Sequence, residues 1–571
     1  MFSPLNHAAH ATRGFRSGSK VFLSNYSSSA VKLTPQTRRL ITWKRVLLAT
    51  AVTGTTLYYT NDTAHSLMRH IAMTGRRIGV VTQATVRCLY HYQKTLDGHY
   101  DTELNRREAL KKCHKLCADI TLRALESNGG IYIKLGQHIG ALTYLLPVEW
   151  TDTMIPLQDK CPQSTLEEIN DMFRQDLKVD LKDMFIKFDP EPIGVASLAQ
   201  VHTATLRSTG ERVAVKCQHP SLKEFVPIDV LMTQTVFNVL DFVFPDYPLT
   251  WLSDELQNSI YVELDFTKEA ENSKHTAEYF SSYLKETALR IPKVVSANKR
   301  ILVMEYLEGH RLDDPHYLDE NHISRAEVSS CLSHIFNNMI FTPNVGIHCD
   351  PHGGNLAIRY LPKARGHHNF EIILYDHGLY RYPTTETRRN YAKFWLALLD
   401  NDEANMKKYA MKFANIKEEQ FPLFAAAITG RSIDAALSPD ITKPRSDEEI
   451  RVMTKALTQG TLFVDLMGIL SKVPRIVLLI LKTNDLTRHL DECLNNPLGP
   501  ERTFLILSQY CARTVYDESR QKISHDHVKW SLQWILCEIH AWWEYERRKN
   551  QLVFYDIALW WRRHFQKASS V

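Results

Sequence analysis

The stretch HCDPHGGNLAIRY, residues 348–360, decides how this chain is read. It places two histidines, an aspartate, two adjacent glycines and an asparagine within eight positions, ahead of a strand-like run. Taken alone it fits a metal site, a catalytic loop or a polar tight turn. His348, Asp350 and His352 are competent transition-metal ligands. Asp350 and Asn355 are also five apart, the spacing of a protein-kinase catalytic loop. The residues downstream favour the loop: a basic turn at 363–368, then FEIILYDHG at 370–378, with Asp376-His377-Gly378 where a kinase keeps its D-F-G. An Asn and an Asp on two adjoining loops can hold Mg²⁺ against phosphates.

Upstream, RVAVKCQ (212–218) alternates apolar and polar residues like a half-buried strand and carries Lys216. Before it, PIGVASLAQVH (192–202) is a small-residue loop running into a strand, and backbone N–H groups in such loops can cradle phosphate. YVELDFTKEAEN (261–272) sets Glu263, Asp265, Glu269 and Asn272 in a helix-compatible stretch. A strand lysine meeting a helix glutamate is how kinases place a cation on the α- and β-phosphates. Each piece has a bland alternative: a common turn, a solvated lysine, an acidic helix face. All five in kinase order are specific. The metal reading leaves Lys216, Glu269 and Asp376 without a purpose. No G-x-x-x-x-G-K-[ST] suggests a P-loop ATPase.

The bulk properties fit a folded, multi-part protein. With 571 residues, 44% hydrophobic and 23% charged, the length suggests two to four domains. A net charge of +5 is too mild to argue for nucleic acid. The basic excess is concentrated at the start: Met1 to Asn61 holds eight Lys or Arg and no Asp or Glu, with a serine cluster at 27–29. That composition is expected of a mitochondrial transit peptide (1–45), a disordered basic tail being the alternative. Residues 43–60 are a marginal single transmembrane anchor, with Trp43 and Tyr58-Tyr59 suited to the two interfaces. A buried or peripheral helix is the alternative. The ten cysteines show no C-x-x-C pair, disulfide framework or zinc spacing, and most read as small apolar residues.

The expected organisation is a helical extension over 65–160, a β-rich N-lobe over 161–310, a C-lobe core over 311–400 and a helical region over 401–571. The expected fold class is α+β, an atypical bilobal kinase-like fold. RILVMEYLEG (300–309) reads as a further strand stopped by Gly309.

With these motifs in place, the chain resembles the UbiB family, the aarF-domain-containing kinases. Lys134-Leu135-Gly136-Gln137 matches its K-x-G-Q, Glu263-Leu264-Asp265 its E-x-D, 348–355 its H-x-D-x-H-P-G-N, and 376–378 its D-F-G. The resemblance covers roughly residues 125 to 400. It implies ATP and Mg²⁺ as cofactors. It also implies that Lys216 contacts phosphates and pairs with Glu269, that Asp350 is the catalytic-loop aspartate, and that Asn355 and Asp376 are the metal ligands. Ile193, Gly194, Val195, Ala196 and Ser197 would form the nucleotide loop. Met304 to Leu307, with Glu305 and Leu307, would form the hinge beside adenine. Lys134 and Gln137 would fold across the cleft toward Glu263 and Asp265 as a lid. Three departures stand out. Gly194 opens a loop the family usually writes A-A-A-S, and glycine is the more flexible residue there. Gly353 replaces Pro and His377 replaces Phe. No A-P-E follows Asp376.

The basic leader makes the chain similar to mitochondrial members of the lipid-homeostasis branch. The resemblance implies an ATPase, or a kinase acting on a small or lipid-like molecule. The alternatives are a nucleotide-binding scaffold at the inner membrane, or a role in ubiquinone biosynthesis. The partners implied are ATP, a small-molecule or lipid-related substrate and the mitochondrial inner membrane, with no nucleic acid. The positive charges before the anchor predict a body facing the intermembrane space.

Overall fold

The structure is a computed structural model. It describes residues 62–141, 146–158, 163–245, 250–349, 353–362, 368–429, 469, 473–494, 496 and 499–568. The expected leader and anchor lie outside these residues, as does Asp350. The chain divides into two units, 1–72 and 73–571. The α+β class expected from the sequence holds.

The described chain opens with helices α1 (Asp62–Leu96) and α2 (Glu103–Asn128), matching the helical reading of 65–128 except for a break at 97–102. Thr102 starts α2 by accepting the Asn105 N–H at 3.2 Å, satisfying a donor that has no partner within the helix. Helix α3 (Ile131–Ala141) follows at once.

The first sheet is antiparallel in the order β1-β3-β4-β7-β6, with β2 (Gly194–Val195) paired to β3. Its other strands are β1 (Phe185–Phe188), β3 (Ala199–Leu206), β4 (Arg212–Gln218), β6 (Val294–Ala297) and β7 (Ile301–Glu305). The half-buried expectation for β4 is corrected: it is the central strand, and both its faces are covered. Val213, Val215 and Cys217 pack with Phe173, Phe185 and Val303 on one face. Ala214 packs with Phe266, Ala270 and Leu302 on the other. Side chains two apart on a strand share a face. Lys216 therefore lies on the Ala214 side, toward the helix that carries Phe266. A second correction concerns β7, which ends at Glu305, four residues before Gly309. Gly309 serves close packing instead: a Cβ there would sit 2.7 Å from the Ala357 Cβ.

A second sheet has the order β5-β11-β10-β8: β5 (Leu289–Arg290), β8 (His310–Arg311), β10 (Leu356–Tyr360) and β11 (Phe370–Leu374). The β10–β11 ladder pairs Leu356 with Leu374. Asn355, just before β10, therefore stands opposite Tyr375, the residue before Asp376. A two-stranded ladder, β9 (Ile347–His348) on β12 (Tyr380–Arg381), sets His348 opposite Tyr380.

Helix α4 (Ser221–Val243) is the one described helix long and apolar enough to cross a membrane. One stripe of it, Leu222, Val226 and Val230, packs against Ile131 and Ile260, while Leu231 and Phe242 on its other side are exposed. The stretch 261–272, read as one helix-compatible run, is broken. Helix α5 (Thr250–Glu263) ends and α6 (Phe266–Phe280) begins, because Asp265 caps α6 by accepting the Thr267 N–H at 3.1 Å.

Beyond the sheets come α7 (Arg325–Phe341), α8 (Thr385–Leu399), α9 (Glu403–Ala414), α10 (Arg475–Cys493), α11 (Gly499–Asp526) and α12 (Leu532–Ala568). Tyr391, Phe394, Phe413, Phe424, Val477 and Cys511 form the core of this part.

Candidate active site

Lys216 is the centre of the site. Its Nζ lies 2.6 Å from Glu269 Oε1 and 3.3 Å from Asp376 Oδ2, above the ring of Phe266 at 5.2 Å. The placement of Glu269 follows from α6. Its buried positions Phe266, Glu269, Ala270 and Ser273 recur at the helical spacing, so one stripe faces the sheet. Glu269 lies on the apolar stripe and is tolerated there because Lys216 meets it.

The Asp376 carboxylate is fixed at both oxygens. Oδ1 accepts the Gly378 N–H at 2.7 Å, and Oδ2 faces Lys216. The flanking backbone is held as well: His348 Nε2 donates to the Asp376 carbonyl at 2.8 Å, and Asn272 Nδ2 to the His377 carbonyl at 3.0 Å. His377, in the place of the family's Phe, is 1% exposed. Its Nε2 lies 3.2 Å from the Leu374 carbonyl and its Nδ1 2.9 Å from the Tyr380 hydroxyl. A carbonyl only accepts, so its partners assign the proton to Nε2, and Nδ1 accepts from Tyr380. Burial and the neighbouring His348 hold its pKa down to about 3, so the ring is neutral.

Three ionisable groups therefore stand together, and their environments separate them. Burial pushes Glu269 up to about 7, against the pull of Lys216. Burial would also raise Asp376, but the Lys216 charge and the Gly378 N–H hold it well below the usual carboxylate range. Burial would lower Lys216, and the charges of Asp376 and Glu269 more than reverse that. The Glu269 side chain is 4% exposed, whereas that of Asp376 is 37% exposed. The open carboxylate is thus the ionised one.

Helix α3 brings a second ion pair to this place. Lys134 Nζ lies 3.0 Å from Glu263 Oε2. A Cβ at Gly378 would be 3.8 Å from Glu263 Cγ and 4.0 Å from Glu269 Oε2, so the pair stands beside the D-H-G turn. On its other side, Gly136 lets α3 pack closely on Leu125 of α2 and on Leu157. A Cβ there would collide with Leu157 Cδ1 and sit 3.0 Å from Leu125 Cδ1. The other two residues grouped with the lid have different partners. Gln137 Nε2 donates to the Leu157 carbonyl at 3.0 Å, and Asp265 caps α6.

In the small-residue loop, the Ile193 and Ala196 amides are used by the hairpin, donating to Val201 O at 2.8 Å and Ala199 O at 2.7 Å. Gly194 has open space where a Cβ would stand, Val195 pairs with Gln200, and Ser197 is buried. At the expected hinge, the Glu305 carboxylate faces Arg290 Nη2 at 2.7 and 2.8 Å. The Leu307 carbonyl accepts the Tyr375 hydroxyl at 3.0 Å, and the Asn355 carbonyl accepts the Tyr375 N–H at 3.0 Å. At Cys349, the residue before Asp350 in the chain, the carbonyl accepts from Lys482 Nζ of α10 at 3.3 Å.

Sequence reasoning missed the roles of His348, Tyr380, Asn272, Tyr375 and Lys482 in this place. Asn272 carried a signal, being one helical turn after Glu269. Lys482 carried none, because it comes from a helix more than a hundred residues downstream.

The site has oxygen donors of the kind Mg²⁺ takes. Among the described residues no three or more His, Cys, Asp or Glu converge as a self-contained metal cage. One or two protein oxygens completed by phosphate are the usual Mg²⁺ arrangement, and the part-exposed, ionised Asp376, with Asn355 opposite the preceding Tyr375, fits it.

Residues 156–410 match the ABC1 atypical kinase-like domain. The chain is 64% identical over 539 residues to the ABC1 family protein MCP2 of Saccharomyces cerevisiae, covering 93% of this chain and 94% of that one. It is 45% identical to the MCP2 homolog of Schizosaccharomyces pombe, covering 81% and 83%. It is 35% identical to AarF domain-containing kinase 1 of Drosophila melanogaster, covering 85% and 91%. Identity sustained across this length, together with the lysine–glutamate–aspartate geometry, places the chain in the ABC1/AarF, or UbiB, family of atypical kinase-like proteins.

Proposed function

We propose that this protein binds ATP with Mg²⁺ and transfers the γ-phosphoryl group to water or to a small, lipid-like acceptor. The observation that carries this reading is Lys216 held between Glu269 and Asp376. Kinase-like sites need a fixed cation on the α- and β-phosphates and an ionised metal ligand beside it. In this reading Lys216 takes the phosphates and Glu269 orients it. Asp376 and Asn355 hold Mg²⁺, which when bound neutralises charge on the phosphate oxygens. Asp350 receives the acceptor's proton. The 193–197 loop covers the phosphates, and Glu305 to Leu307 border adenine.

The Lys134–Glu263 pair beside Gly378 supports a lid. A lid there would admit ATP and small groups and exclude a folded protein substrate. The acid-free leader supports a mitochondrial address, and the apolar 43–60 segment an inner-membrane anchor with the body in the intermembrane space. We take support of mitochondrial lipid homeostasis as the cellular role, ahead of ubiquinone synthesis.

The test is thermal denaturation and phosphate release by the purified protein with ATP, with and without Mg²⁺. ATP with Mg²⁺ should raise Tm by mass action, and Asp376→Asn should lose most of the Mg²⁺-dependent part. Absence of any Mg²⁺-dependent shift in wild type overturns the reading. A shift without phosphate release, with or without added lipid extract, reduces it to a nucleotide-binding scaffold.

A further inference from the structure

Helix α12 folds back antiparallel on α11. Its inner side is engaged: Leu552 packs with Leu505, Tyr545 stacks on Tyr516 at 4.8 Å, and Glu538 pairs with Arg520. Its outer side is not polar. Leu532, Leu536, Ile539 and Trp543, then Phe554 and Ile557, recur at three- and four-residue spacing and are all exposed, Trp543 at 61% and Phe554 at 71%. At 1.5 Å per residue this stripe runs for about 38 Å. Val528 and Trp530 extend it onto the hairpin tip. An apolar line of this length on a folded protein, broken at Glu546 and Asn550, marks an interaction surface.

We propose that the outer face of α12 docks the protein on an anionic phospholipid bilayer. Three observations choose this occupant. The stripe carries Trp543 and Phe554, and Trp530, Trp542 and Trp561 are exposed at its tip and flanks; such side chains sit well at the depth where headgroups meet acyl chains. Residues 547–568 carry six Lys or Arg against a single Asp, so the second half of the helix is a basic amphipathic segment. Glu546 and Asn550 interrupt the stripe between Trp543 and Phe554, one helical turn from each, and Glu546 is paired with Lys549 at 3.3 Å. A second copy seated along the stripe would bury that carboxylate and amide at the centre of its interface, at a cost. A headgroup layer solvates both. The face is far from the nucleotide residues in the sequence and uses none of them, so this proposal stands or falls separately from the reading of the site.

The full chain is mixed with phosphatidylcholine vesicles, with and without phosphatidylglycerol. Partition should be stronger with the anionic lipid. Trp543→Glu/Phe554→Glu should weaken it by about tenfold or more, since two aromatic side chains would no longer leave water. Gln551→Glu, exposed and off the stripe, adds charge without that loss and should bind within about twofold of wild type. Vesicles with brominated acyl chains give a local readout independent of any other membrane contact. They should quench wild-type tryptophan fluorescence, and Trp542→Phe/Trp543→Phe should lose a large part of that quenching while still binding. Equal quenching in both proteins overturns the proposal, as does partition unaffected by the glutamate pair. Concentration-dependent dimers abolished by the glutamate pair would overturn it in favour of a second copy.

Discussion

Two largely covered cations in this molecule look alike and do different work. Arg77, on α1, meets Asp229 of α4 with both its Nε, at 2.9 Å, and its Nη2. Its Nη1 donates to the Asn128 carbonyl, and Asn128 Nδ2 donates back to the Arg77 carbonyl at 3.2 Å. Tyr132 and Phe225 cover the guanidinium. The Asp229 side chain is 3% exposed, and its burial pushes its pKa up despite the arginine. One planar cation, one carboxylate and one carbonyl are matched and closed in. Lys216 is a point charge between two carboxylates, and one of them is open to solvent. The first arrangement is saturated and fastens helices together. The second keeps an ionised carboxylate at a surface a ligand can reach, so it can reorganise when an anion or a metal arrives. Burial of an ion pair says little about its purpose; whether its partners are exhausted says much more.

Three experiments probe that contrast. The largest effect is expected at Arg77. Arg77→Ala strands a buried carboxylate and should lower unfolding free energy by about 3–5 kcal/mol, with Arg77→Ala/Asp229→Asn recovering part of it. Chemical denaturation measures both. A loss below about 1 kcal/mol, as surface pairs give, would show that the pair is not a fastener.

Lys216→Met should separate function from stability. The Mg²⁺-dependent Tm shift should vanish and phosphate release fall about a hundredfold or more, equivalent to about 2.7 kcal/mol of lost transition-state binding. Unfolding free energy should change less than for Arg77→Ala, because Glu269 can take up a proton once the lysine is gone. A variant that is merely unstable, with its nucleotide response intact, would make Lys216 a second fastener.

The smallest effect is a pH dependence. Glu269 keeps its proton in the folded state up to about 7, above the unfolded carboxylate value of about 4.3. Between those values the folded state holds the extra proton, so this group's contribution is present at low pH and lost as pH rises through 7. From pH 6 to 7.5 wild type should lose about 1 kcal/mol relative to Glu269→Gln. Parallel stability curves for the two proteins would show that the carboxylate is not perturbed.

Much of the architecture was legible in the chain. Alternation in RVAVKCQ marked a strand, and Asn355 and the D-H-G motif flanked a hairpin whose ladder, Leu356 against Leu374, sets their ends side by side. The errors have identifiable causes. β4 was expected to be half-buried because lysine reads as a solvent-facing residue. In the centre of a sheet, with α6 across one face, that lysine is covered and paired instead. The run 261–272 looked like one helix because its composition is helical throughout, yet Asp265 prefers to cap, and its side chain ends one helix's claim on the next. Gly309 read as a strand stop and proved to be a contact with Ala357, since no local pattern announces what approaches from fifty residues away.

The sequence by itself determined which groups are present: the family motifs, the apolar periods of the strands and helices, and the acid-free leader. These depend on residue type and on spacing within a turn or a ladder, which neighbours along the chain fix. Only the tertiary structure decided which groups meet and in what state. Lys134 reaches Glu263 while Gln137 goes to Leu157, His377 is neutral because it is buried between Leu374 and Tyr380, and Lys482 arrives at the Cys349 carbonyl from α10. Proton affinity and ion pairing depend on burial and on charges a few ångströms away, and distance in space is what a linear sequence does not carry.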